Sequence, residues 1–232
     1  VSFHLFAQED VEVDASQSED DSIRSTYIKS YPDHFFLWPV LKQRRLDFEI
    51  KDIPEKNRSI TYRSNKPYSF GLGMYLFELG IELTFAIPLD EKSKTIYGES
   101  DASDLQLNIL TKKWGLDLYH QKYSGFYIDD PEANVPANTP YPQRPDIATK
   151  NIGMVGNYVF NNKKFSLRSA YNFVERQLRS SGSFLLFSSI RGFTIQGDSA
   201  ILGDEYSADF GVDSKISKIK ATTFSVAPGY TY

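Results

Sequence analysis

The sequence contains no cysteine. That excludes disulfides, zinc–thiolate sites and thiol catalysis, and it is compatible with cytosol, periplasm or a bacterial envelope. No stretch approaches the roughly 20 apolar residues of a membrane-spanning helix, which excludes a helical membrane protein. Basic residues are not in excess either: 26 Lys and Arg face 30 Asp and Glu, for a net charge of −4. No nucleic-acid partner is expected from that balance, and there is no basic tail. Histidine is scarce. His4, His34 and His120 stand far apart and none sits in a metal-ligand spacing, so no metal site is expected.

Cofactor motifs are missing as well. The "GLG" at Gly71 to Gly73 is followed by neither a helix nor a lysine and makes a poor phosphate loop. "DDPE", Asp129 to Glu132, lacks the alternating oxygen ligands of a calcium loop. His120 is the only candidate base, but in a strand Asp117 and Tyr119 would face away from it.

What the chain has in quantity is aromatic: 15 Tyr and 17 Phe among 232 residues, while mean hydropathy stays polar. A closed β-barrel reconciles the two, because its alternating strands hide their hydrophobicity from any window average. The first residues, "VSFHLFA", read as the end of a secretory signal cleaved after Ala7. Residues 8 to 32 begin as a polar, acidic leader with little to bury, and 33 to 232 are expected to form the barrel. "TYIKSYPDHFFLWPVL" packs aromatics around two prolines, a composition unsuited to a central strand.

Period-two alternation becomes regular from Arg44. Leu46, Phe48 and Ile50 alternate with Arg45, Asp47 and Glu49. "YSFGLGMY" and "LGIELTFAI" repeat the pattern and form one hairpin, "DLQLNIL" and "LDLYHQKYSGFYI" another. "NIGMVGNYVF" is a further strand, and after the polar turn "NNKK" the run through Phe165, Leu167, Arg168, Tyr171, Phe173 and Arg176 reads as its returning partner. Long polar stretches at 89 to 102, 128 to 149 and 197 to 218 contrast with short turns, the asymmetry of an outer-membrane barrel. A simple up-and-down count fails between 179 and 220, where "RSSGS" arrives at the wrong end.

The expected fold is therefore all-β, an antiparallel up-and-down transmembrane β-barrel of about ten strands. Its apolar face would meet lipid. Its interior would receive Arg45, Asp47, Glu49, Glu82, Asp104, Gln106, Asp117, Arg168 and Arg176, with both signs of charge present and pairing across a narrow lumen.

Three segments carry a resemblance: "GLGMYLFELGIELTFAIP", "DLQLNILTKKWGLDLYHQKYSGFYI" and "YVFNNKKFSLRSAYNFVERQLRSSGSFLL". Together the chain resembles the DUF4421 family, outer-membrane proteins of Bacteroidetes-type bacteria. The most specific pieces are Ser124-Gly125-Phe126-Tyr127, where the family often has Lys at the first position, and Gln177 with Ser181-Gly182-Ser183. The resemblance implies an outer-membrane barrel with further strands beyond Tyr232, so that this chain is truncated at its C-terminus, and it supplies no catalytic residues. The expected function is a non-enzymatic narrow channel, receptor or envelope-complex scaffold, with outer-membrane lipid and other envelope proteins as partners. The alternative is an enzyme acting on lipid or polysaccharide.

Overall fold

A computed structural model of the chain describes residues 15–31, 35–43, 45–51, 58–65, 68–76, 79–206, 210 and 215–232. The expected signal remnant, His4 and His34 lie outside them. In order, the elements are α1 (Ala15–Tyr27), β1 (Ile28–Ser30), β2 (Phe36–Lys42), β3 (Asp47–Lys51), β4 (Ser59–Arg63), β5 (Ser69–Leu76), β6 (Leu79–Ala86), α2 (Glu91–Tyr97), β7 (Asp101–Leu110), β8 (Trp114–Asp129), β9 (Gln143–Val159), α3 (Arg168–Tyr171), β10 (Glu175–Gln177), β11 (Ser183–Gln196) and β12 (Lys218–Thr231).

The protein is all-β with short helices. Its main sheet runs β12-β11-β9-β8-β7-β6-β5-β2, an antiparallel up-and-down meander with β2 added beside β5. Among the described residues no pairing joins β12 to β2, and both end the main path as edge strands. Each edge strand contains a proline, Pro39 and Pro228. The missing N–H is tolerated there because an edge strand leaves alternate groups outside the ladder. The segment "TYIKSYPDHFFLWPVL", unsuited to a central strand, carries β1 and most of the edge strand β2.

Alternation fixes the two faces. On β5, Phe70, Leu72, Met74 and Leu76 are exposed while Gly71, Gly73 and Tyr75 are buried on the other side. The inner glycines are required by close approach: a Cβ on Gly73 would lie 2.1 Å from the Trp38 indole, and one on Gly71 would lie 1.9 Å from the Leu83 carbonyl oxygen. The hairpins β5–β6 and β7–β8 form in the expected places.

The run from Phe165 to Arg176 corrects the expectation. It is not a strand and does not pair with β9, whose partner is β11 through Val159↔Leu185 to Ala148↔Gln196. The reason is local. Asn161 to Lys164 form a turn, and Ser166 starts a helical turn by accepting the Ser169 N–H at 3.1 Å. Phe173 adopts φ 57°, which breaks any extended continuation. With no strand here, "RSSGS" stands at the same end of the sheet as "NNKK", and the failed up-and-down count is resolved.

These residues build a cap over the short-turn end. β10 pairs with β1, the two lying outside the main sheet. The acidic leader, expected to have little to bury, carries α1, which is tied to the cap by Arg24 and by ion pairs of Asp20 with Lys163 and Asp21 with Lys112. Beneath it lies an apolar cluster of Leu110, Val159, Phe165, Leu167 and Leu185.

At the opposite end the loops form a second core. The β3–β4 hairpin extends β8 through Thr61↔Asp129 to Arg63↔Tyr127. Ile60, Tyr62, Phe126, Ile128, Ile147, Ile201, Leu202 and Tyr206 bury one another there. Arg58 grips Asp130 with two hydrogen bonds of 2.7 Å. The Ser124-Gly125 step is a β-bulge in β8: Gly125 has φ 77°, and a Cβ on it would meet the Glu99 carbonyl oxygen at 2.3 Å. Within the expected loop 89 to 102, Asp90 caps α2 by accepting the Ser93 N–H at 2.8 Å.

Candidate functional site

The inner face of the main sheet gathers polar side chains from successive strands. Glu82 on β6 pairs with Lys42 on β2. Asp117 on β8 accepts from the Asn108 amide on β7. Asp104 on β7 accepts from Gln121 at 3.4 Å, and the Gln121 carbonyl accepts from Asn151 on β9 at 2.9 Å. The ladder register puts these groups beside one another because inward positions fall opposite inward positions on neighbouring strands.

Of the residues expected inside, Glu82, Asp104 and Asp117 belong to this face. Arg45, Asp47 and Glu49 lie instead at the loop end, where Arg45 pairs with Asp47 at 2.6 Å and Glu49 with Lys51 at 3.1 Å. The Asp47 carboxylate, by hydrogen bonding, raises the Arg45 guanidinium. Arg168 and Arg176 sit in the cap. Arg168 reaches Glu175 at 3.7 Å, and Arg176 is exposed opposite Lys29. The structure therefore does not bring the arginines to the inner carboxylates.

Glu175 is the buried hub of the cap and was not selected from sequence. Arg24 donates to it at 2.5 Å, Ser30 at 3.1 Å, and the Ser166 hydroxyl also donates. Burial alone would raise its carboxyl. The Ser166 hydrogen bond, Arg24 and the charge of Arg168 outweigh that and hold it below the usual carboxylate range. Gln177, one of the family-like positions, stitches the cap together: its amide donates to the carbonyls of Lys164 at 2.6 Å and Arg179 at 2.9 Å, and its oxygen accepts the Ser166 N–H at 3.0 Å.

Between cap and sheet lies a cavity of about 620 Å³. One wall is the inner face at Glu82, Gln106, Asn108, Asp117 and Asn157, the other is the cap at Leu167, Tyr171, Asn172 and Phe173. Phe36 and Trp38 of β2 close the side. β6 and β7 pair only through Leu79↔Ile109 and Gly80↔Asn108, and residues of both strands line the cavity where that pairing stops. Asn172 is 9% exposed, and neither polar atom of its side chain has a partner among the described residues. Oδ1 of Asn157 is likewise without one.

The alternation of the run sets Asn172 on one side with Arg168 and Arg176, but it is the alternation of a strand, and Asn172 lies outside any strand. Asn157 and Trp38 were accessible in principle as inward positions of alternating strands. His120 lies on the outer face between Leu105 and Ile152, away from Asp117 on the inner face. No group of three His, Cys, Asp or Glu that could hold a metal occurs among the described residues.

The chain belongs to the DUF4421 family, a domain of unknown function whose profile matches residues 19–232. Neither a curated protein nor a solved structure matches it.

Proposed function

We propose that this DUF4421 protein is an integral outer-membrane protein of the β-barrel type, with its interior shut at the short-turn end, serving as a non-enzymatic receptor. One observation carries the reading. Along all eight strands of the main path the outward side chains form a belt with no Asp, Glu, Lys or Arg. It includes Leu41, Leu72, Leu83, Leu105, Met154, Leu186 and Phe224, with Leu83 63% and Phe85 78% exposed. An apolar surface of that extent is not left to water in a soluble monomer. Lipid covers it naturally.

The belt has the borders that a bilayer asks for. From Ile152 on β9 to Phe160 just beyond it, the belt covers roughly 26 Å of strand at about 3.3 Å per residue, which at a strand tilt of about 35–45° spans about 20 Å of the ~25 Å apolar band of outer-membrane barrels. At the short-turn end it finishes in Trp114, Tyr158, Phe160, Phe184 and Tyr230. Tyr158 and Phe160 meet edge to face at 4.9 Å, as do Phe184 and Tyr230 at 5.1 Å. At the loop end Lys122 stands opposite Lys150, and Lys150 and Lys220 flank Thr194 in the same row. Ammonium groups on flexible stems suit a phosphate-bearing headgroup layer.

The cap favours a receptor over a conducting channel, since α3 and β10 lie across the end of the inner face. The outward place of His120 weighs against the enzymatic alternative, because the one candidate base is parted from the polar interior and from Asp117, its candidate partner in sequence. Expression of the full-length protein in a bacterial host tests the reading. It should fractionate with outer membranes and migrate faster on gels before heating than after. Recovery as a soluble monomer would overturn the membrane assignment, and stepwise conductance in planar bilayers would replace receptor by channel.

A further inference from the structure

We infer that the cavity between the cap and the inner face is a binding site for an uncharged sugar, a pyranose ring or pair of rings seated between Trp38 and Asn172. Its volume of about 620 Å³ falls within the roughly 300–1,000 Å³ of small-molecule sites. Its lining is the combination that recognises a sugar. Phe36, Trp38, Tyr75, Tyr171, Phe173 and Phe187 offer aromatic surface for the C–H faces of a ring. Asn157, Asn172 and Asp117 offer amide donors and acceptors and a carboxylate acceptor for its hydroxyls.

Charge narrows the class. Of the cations on this face, Lys42 is held by Glu82, and Arg191 on β11 is not among the residues that line the cavity. An anionic ligand would meet Asp117 and Glu82 with no free counter-charge among the described lining residues. A purely apolar ligand would leave the Asn172 carboxamide as it stands now, buried with neither polar atom paired. Native proteins rarely retain such a group unless a ligand or water satisfies it. A hydroxyl-rich ring satisfies the carboxylate directly, and the amide, whose polar atoms are closed off in the unliganded protein, by a turn of the Asn172 side chain into the cavity. Next to Asn172, Phe173 has φ 57° and lines the same cavity. Strain of that kind is seen at ligand clamps. The pairing of β6 and β7 stops beside Gln106 and Glu82, which line the cavity. The site depends on the cap and the inner face alone, not on what covers the outer face.

The test uses the full chain kept folded in an amphipathic polymer, with Trp114→Phe so that emission reports Trp38 alone of the two tryptophans. Maltose, cellobiose and diacetylchitobiose are titrated at millimolar concentrations, with decanol as the apolar probe. At least one disaccharide should shift the Trp38 emission saturably. Asn172→Leu should weaken that binding by about tenfold or more while raising the melting temperature of the unliganded protein, because a buried unpaired amide is removed. If Asn172→Leu does not fold, Asn157→Ala takes its place with the same expected loss of binding. The inference is overturned if none of the three sugars shifts the emission, if the shift survives both variants, or if decanol alone binds.

Discussion

Arg24 and Glu175 are 151 residues apart in the chain and meet at 2.5 Å, with the Glu175 side chain wholly buried. The pair fastens α1 to the cap, and the Arg24 guanidinium also donates to the carbonyl of Asn162 in the turn that leaves β9. Removing one partner strands the other charge out of water. Glu175→Gln should therefore destabilise the cap by about 3–5 kcal/mol, and Arg24→Met by a similar amount. Hydrogen exchange reads this directly: amides of α1 and β10 should lose protection in either variant while β8 and β9 keep theirs. Unchanged protection of α1 in Glu175→Gln would show that the cap is held by other contacts.

Acid should loosen the loop-end core through Asp130. The Arg58 hydrogen bonds hold its carboxyl below the usual range against the opposing effect of burial, and the backbone N–H of Glu132 adds to the lowering. A carboxyl with a depressed folded pKa contributes stability that is complete above its unfolded value near 4. That stability is lost as pH falls through the folded value. Wild type should therefore show a flat stability from pH 7 to about 5 and a decline below about 4, with Asp130→Asn less stable at neutral pH and shallower in acid. Parallel curves for the two proteins would show that the Arg58 pair contributes nothing.

Much of the sheet could be read from sequence because a pleat reports itself. Phe70, Leu72 and Met74 alternate with Gly71 and Gly73 whatever lies on either side, and the same holds for β6, β7 and most of β8. The cap was illegible for the same reason. Phe165, Leu167, Tyr171 and Phe173 imitate a period of two, yet Phe165 and Leu167 are buried whereas Tyr171 and Phe173 are 69% and 64% exposed. Only the tertiary partners, Arg24 and Ser30 on Glu175, separate a folded cap from a strand. Within the site, inward carboxylates such as Glu82 and Asp117 followed from alternation, but their partners Lys42 and Asn108 are set by register across strands. Asn172 shares the apparent alternation of the run with Arg168 and Arg176, but its place in the cavity depends on the cap.

The two faces of β6 make a direct comparison. Leu83 points outward, and its neighbour Glu82 points inward to Lys42. Leu83→Arg should cost roughly 2–4 kcal/mol in a bilayer, the range for a cation on a lipid-facing strand at mid-depth. Glu82→Gln keeps a hydrogen-bonding side chain toward Lys42 and should cost less than about half of that. Urea titration of vesicle-inserted protein, followed by heat-modifiable migration, measures both. Equal folding of Leu83→Arg and wild type would mean that lipid does not cover that face.

A chain without thiols allows the cap and the belt to be distinguished by single cysteines. Leu186 lies on the outward face of β11, 38% exposed, so Leu186→Cys should react with a maleimide confined to the bilayer. Ser189 lies on the inward face and bonds the Ser225 hydroxyl at 2.6 Å, so Ser189→Cys should resist that reagent. Leu167 decides between the two readings of the 161 to 179 run. A strand would place it toward lipid, whereas the cap buries it at 7% exposure with Phe165 and Leu185. Leu167→Cys should therefore resist the lipophilic reagent in the folded protein and react with a water-soluble maleimide once the cap is released by Glu175→Gln. Labelling as strong as that of Leu186→Cys in the intact protein would restore the strand and remove the cap, and with it the cavity the cap encloses.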